Sequence, residues 1–201
     1  MRMRLVKWSG LSGIFGLILS LVMVFAATII SPWFRWDTNA LSEMGVGEVS
    51  LLFNSAMIID GFFNFIFALG IREYLGKESL AKYGTFLIIL GSVSLALVGI
   101  FTVSYPILHG IFALGTFVLP PTGFILIGFS SEQPPIKKLS ITTGIAALMV
   151  ILVLPVILLA LPFNVGFAVP EIIWSLIVAT WVIFVGMQLL RYPQKTPRTN
   201  D

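Results

Sequence analysis

The run YGTFLIILGSVSLALVGIFTVSYPILHGIFALGTFVLPPTGFILIGF, residues 83–129, contains no Asp, Glu, Lys or Arg. Drawn as one helix rising 1.5 Å per residue it would be about 70 Å long, more than twice the hydrocarbon thickness of a bilayer. It reads as two spans joined by a turn, and Ser104-Tyr105-Pro106 near its middle is the turn-forming place. The same argument applies downstream, where Leu139 to Leu190 carries Glu171 as its single charge and divides at Pro162-Phe163-Asn164-Val165-Gly166.

Upstream, Trp8 to Ile30 follows Arg2, Arg4 and Lys7, and is longer than the apolar region of a secretory signal, so it is expected to be a retained span. Val49 to Ile71 ends at Arg72 and Glu73 and holds one charged residue, Asp60. The expectation is an all-α polytopic bundle, a single domain over residues 1–201, with spans near 8–30, 49–71, 83–104, 107–129, 139–161 and 170–190. Helices are required because an open strand edge in lipid leaves backbone groups unpaired at several kcal/mol each.

Composition agrees. The 201 residues are 58% hydrophobic and 10% charged, against roughly 25% charged in soluble domains. There is no cysteine, which excludes disulfides, thiolate metal sites and cysteine nucleophiles. The net charge of +3 does not point to nucleic acid, because the basic residues flank apolar blocks instead of forming a run with interleaved aromatics.

With six spans, one side collects the N-terminus, the 72–82 loop, the 130–138 loop and the tail. Arg35 is then the only one of the 12 Lys and Arg on the other side. The positive-inside rule makes the first side cytoplasmic, with both termini there, in a multi-pass protein of the cell membrane.

Several residues stand out chemically. Asp60 lies about 18 Å down the second span from Glu48, close to the bilayer middle, where a carboxyl is expensive and marks a functional hypothesis. At 100° per residue Asn54, Asp60, Gly61 and Asn64 share an arc of about 120°, so one face of this span is polar and is expected to point into the bundle. The plainer alternative is that Asp60 bonds Asn64 one turn on and joins helices.

His109 is the only histidine and falls just past the turn between the third and fourth spans, near the outer surface. It suits a general base or one ligand beside carboxylates, and equally a capping residue. One histidine and no cysteine make a transition-metal site improbable, and no metal or cofactor is expected. Glu171 after Pro170 fits a helix start, where proline loses no needed N–H and a carboxylate meets the positive dipole end.

The outer loop contains Trp33 and Trp36, as interfacial belts do, and also Asp37, Ser42 and Glu43. Together with His109 and Glu171 these suit a weak cation site or a head-group pocket. Gly10, Gly13 and Gly16 lie inside an apolar span with no preceding strand, so they form a helix-packing ridge and not a nucleotide loop. Pro120-Pro121 and Pro155 are expected to kink the fourth and fifth spans.

The Gly-rich first span, Leu41-Ser42-Glu43-Met44-Gly45, Asn54 with Gly61, Val98-Gly99-Ile100-Phe101 before His109, and Pro170-Glu171 with Trp181 resemble the six-span prokaryotic membrane family known as domain of unknown function 998. The resemblance covers nearly the whole chain. It implies a fold and a membrane location, and no activity. In that family the segment before the histidine is typically longer and contains an acid; here Thr102 to Leu108 is compressed and has none.

Three functions follow from the residues. The leading one is an outward-facing polar pocket, with Asn54, Asp60, Asn64, His109 and Glu171, for a lipid head group or small amphiphile. The second is an intramembrane hydrolase in which Ser42 or a metal-bound water attacks, helped by His109, Glu43 and Glu171. The third is a proton- or cation-coupled carrier using Asp60, which would need a polar path to both faces. Expected partners are membrane lipids and an amphiphilic small molecule, with no nucleic acid.

Overall fold

A computed structural model describes residues 2–75, 79–159 and 166–192. The chain is helical, with no strand among the described residues: α1 Arg2–Ile29, a 3-10 helix Leu41–Gly45, α2 Ser50–Leu75, α3 Ser79–Ile100, α4 Pro106–Ser130, α5 Pro134–Leu152, α6 Leu154–Leu159 and α7 Ala168–Leu190. Counting Pro134–Ile157 as one span, six helices are long and apolar enough to cross a membrane. The expected turn at Ser104-Tyr105-Pro106 is where α3 gives way to α4, with Pro106 in the first helical turn. Of the expected break at 162–166 only Gly166 lies within the described residues.

Span edges differ from expectation mainly at the basic end. There α1 starts at Arg2, α2 runs on to Leu75 and α5 begins at Pro134. Charged residues stop a hydrophobic run but do not stop a helix, which continues past the apolar stretch into the interfacial region. Pro155 breaks the fifth span at Val153, dividing α5 from α6. Pro120 and Pro121 leave α4 continuous.

From α1 to α6 each helix packs on the next in chain order, and α7 packs on both α1 and α5, closing a ring. Glycines let the backbones approach. A Cβ on Gly61 would lie 2.6 Å from the Ser92 carbonyl of α3. The Gly10, Gly13 and Gly16 ridge is split between two partners, Gly10 against Gly186 of α7 and the other two against Phe67 and Phe63 of α2.

The bundle has two unlike ends. Toward the basic end Trp181 is fully buried, stacked on Phe124 at 3.9 Å and edge-on to Phe67 at 6.1 Å. Its indole N–H donates to Ser140 Oγ of α5 at 2.8 Å. Val6, Ile71, Ile127, Ile136 and Leu189 complete this core. A smaller cluster of Val24, Ala27, Leu41, Met44, Val49, Phe53, Ala56 and Ala168 sits beneath the connection between α1 and α2. Between the clusters the bundle is hollow. Outward, large apolar side chains such as Val22, Leu51, Phe62 and Leu114 are exposed, and in a membrane they contact lipid.

Candidate functional site

The hollow is a cavity with about 140 Å³ open to the centres of water-sized molecules. Its wall comes from α1, the 3-10 helix, α2, α3, α4 and α7; among the described residues α5 and α6 contribute none. The reason is that α4 and α7 meet in front of α5 through Phe117 against Trp174 at 5.0 Å and Phe124 against Trp181. From Phe53 to Phe67 along α2 the lined depth is about 21 Å at 1.5 Å per residue. The aromatic core around Trp181 closes it below.

The proline pair in α4 shapes this wall. Pro121 has no N–H for the carbonyl of Phe117 four residues back. That carbonyl accepts instead from the Trp174 indole of α7 at 3.2 Å. A backbone group freed by proline thus ties α4 to α7. Pro120 itself lines the cavity and packs against Gly91 of α3.

The structure brings Ser42, Asp60, Asn64, His109 and Glu171 to one cavity. Asp60 and Asn64 lie at middle depth, joined by Asn64 Nδ2 donating to Asp60 Oδ1 at 2.8 Å, with Ser20 of α1 alongside. Asp60 thus bonds its neighbour on the same helix and also faces the hollow. Asn54 shares the helical face but does not line the cavity. Its Nδ2 donates to the Gly45 carbonyl at 3.0 Å, and its buried Oδ1 has no partner. At that height the face meets the 3-10 helix, so Asn54 holds the cap.

His109 donates from Nδ1 to the Phe101 carbonyl at 2.9 Å. A carbonyl only accepts, so the proton is on Nδ1, and Nε2 of the neutral ring is left as an acceptor. Glu171 Oε2 accepts from the Leu41 N–H at 2.6 Å. Glu43 accepts from the Ala40 N–H at 2.9 Å and from Asn39 Nδ2 at 2.5 Å. Both carboxylates thus cap the start of the 3-10 helix, where unpaired N–H groups and the positive dipole end favour an anion. The loop is fastened further by Gly166 N–H to the Asp37 carbonyl at 2.7 Å and Ala168 N–H to the Asn39 carbonyl at 2.9 Å. Residues 31–49 form a cap, with Leu41 and Ser42 on its cavity side.

A Ser42 nucleophile needs a base within hydrogen-bond reach; His109 Nε2 is open to accept a proton, but among the described residues no hydrogen bond joins it to Ser42. Among the described residues no group of three His, Asp or Glu is placed to bind a metal ion. On the exposed face of the cap, Arg35 pairs with Asp37 at 2.9 Å and holds its carboxyl below the usual range, chiefly through the hydrogen bond.

Sequence reasoning did not find Trp174, Ser175, Ala113, Phe117 or Ser92 as cavity residues. In helices that are apolar on every side, no periodic contrast marks the inner face. Comparison with curated proteins and with solved structures returned no match. The family model described as protein of unknown function (DUF998) matches residues 14–188, and the chain belongs to that family.

Proposed function

We propose that this protein holds a small amphiphile or lipid head group in the capped cavity, and that the cap faces outward from the cell membrane with both termini in the cytoplasm. The observation that carries the reading is the shape and lining of the hollow: a well floored by Phe67, Phe124 and Trp181 that gathers Ser42, Asp60, Asn64, His109 and Glu171 in a largely apolar wall. Sites for small molecules are commonly concave and apolar with a few polar groups. A carrier would need a polar route past the aromatic floor. A hydrolase would need Ser42 coupled to a free base.

Ala113 lines the cavity from α4, so Ala113→Phe should fill the well without straining the seams between helices. Native mass spectrometry of the purified protein should find a bound small molecule or lipid, and Ala113→Phe should lose it while still unfolding as a single cooperative bundle. An empty wild-type protein, or equal occupancy in the variant, would overturn the proposal.

The orientation has its own test, made clean by the absence of cysteine. A membrane-impermeant maleimide on intact cells should label Asp37→Cys and leave Glu132→Cys unlabelled. The reverse pattern would invert the topology.

A further inference from the structure

We propose that the ligand is a lipophilic amine, its ammonium group at Asp60 and its apolar body between that carboxyl and the cap. The inference rests on the cavity being a binding site and names the ligand's chemical class. It comes from counting what the wall can donate and what it can accept.

Four of the five hydroxyl groups facing the hollow commit their protons to their own helices; the fifth, Ser42 on the cap, keeps its proton. Ser20 donates to the Leu17 carbonyl, Ser92 to Ile88, Thr116 to Phe112 and Ser175 to Glu171, all between 2.8 and 3.0 Å. Each keeps oxygen lone pairs and has no further proton to give. His109 spends its Nδ1 proton on the Phe101 carbonyl. The wall is rich in acceptors and poor in donors, so the complementary ligand brings donors, and an ammonium group carries three.

Charge points the same way. The described lining residues include two carboxyls, Asp60 and Glu171, and no Lys or Arg. A phosphate or sulfate head group would meet two acids and no cation. Of the two carboxyls Glu171 is engaged by the Leu41 main-chain N–H, whereas Asp60 is met only by neutral side chains, the Asn64 amide and the Ser20 hydroxyl beside it. A charge in a low-dielectric interior needs an opposite partner. Phe117, Trp174 and Trp181 add ring faces and edges against which an aliphatic chain packs and a cation is attracted.

The test uses the full chain in a non-ionic detergent at neutral pH and three probes of equal chain length: n-octylamine, 1-octanol and n-octyl sulfate. Binding is read by the change in tryptophan fluorescence, in which Trp174 and Trp181 report on the cavity and Trp8, Trp33 and Trp36 form the background, and by the shift in melting temperature. Octylamine should saturate at a concentration at least tenfold below octanol, with octyl sulfate the weakest. Asp60→Asn should bring octylamine to the octanol value without moving octanol, and Asp60→Glu should keep the preference for the amine.

If Asp60→Asn does not fold, the order of head groups in the unaltered chain still decides. Octanol equal to octylamine, octyl sulfate tighter than either, or an amine preference untouched by Asp60→Asn would overturn the ligand class and leave the cavity as a general amphiphile site. If none of the three saturates, the cavity as a binding site falls, and the amine with it.

Discussion

The two halves of the bundle use nearly the same apolar alphabet to opposite ends. Toward the basic end Phe67, Phe124 and Trp181 meet at the bundle axis and fill it. Toward the cap α1, α3, α4 and α7 turn Ser20, Gly91, Ser92, Ala113 and Ser175 to the axis, and the space stays open. Small side chains at these inward positions leave a well where large ones make a plug. In lipid this choice is unusually free, because helices associate through packing and hydrogen bonds and not through a hydrophobic force that would collapse a hollow.

The largest expected contrast comes from truncating a side chain in each half. Trp181→Ala should cost about 3 to 5 kcal/mol, in the range for deleting a fully buried aromatic. Leu95→Ala, on the cavity wall, should cost a small fraction of that. Chemical unfolding in detergent measures both, and equal losses would mean that the halves are packed alike.

Next come the glycines. Gly61→Ala places a methyl 2.6 Å from the Ser92 carbonyl and should destabilise by about 1 to 3 kcal/mol, as overpacking does. Gly110→Ala meets nothing within 4 Å and should be neutral or stabilise by about 0.5 kcal/mol through helix propensity. A harmless Gly61→Ala would show that the ring can widen and that the well is not of fixed girth.

Trp174→Phe removes the indole that satisfies the Phe117 carbonyl while keeping a ring against Phe117. It should cost about 1 kcal/mol, the worth of one hydrogen bond. Pro121→Ala in the same background should recover part of this by restoring the helical N–H, which a double-mutant cycle reads directly. Additive effects would show that Trp174 does not answer the proline.

The smallest effect is expected at the cap surface. The Asp37 carboxyl sits below its usual range beside Arg35, so any stabilisation is present at neutral pH and is lost as pH falls through the lowered value. The pair is fully exposed and water screens it. Asp37→Asn should therefore leave the melting temperature unchanged at neutral pH.

Much of this contrast was legible in the sequence, and the rest was hidden for physical reasons. Charge-free runs longer than a bilayer gave the helix count. The 100° rule placed Asp60 and Asn64 on the inner face of α2, because three polar residues in an apolar helix leave a clear stripe. Asn54 followed the same rule onto that face, but its neighbour there is Gly45 of the cap, a contact that no spacing announces. Glu171 read as a helix-start residue and does lie in the first turn of α7, yet its carboxylate bonds Leu41, 130 positions away. Pro155 interrupts its helix, whereas α4 stays continuous through Pro121, and the carbonyl that Pro121 leaves without an N–H is taken by a tryptophan on another helix.

The fastening of the cap sets a clock. The connection between α1 and α2 is tied to the start of α7 and the residues before it by Gly166 to Asp37, Ala168 to Asn39 and Leu41 to Glu171. To lift it, all three must open together, at on the order of 2 to 4 kcal/mol for bonds of ordinary worth. Anything passing under the cap would then wait for an opening that, on those bonds alone, is populated roughly once in thirty to once in a thousand samplings.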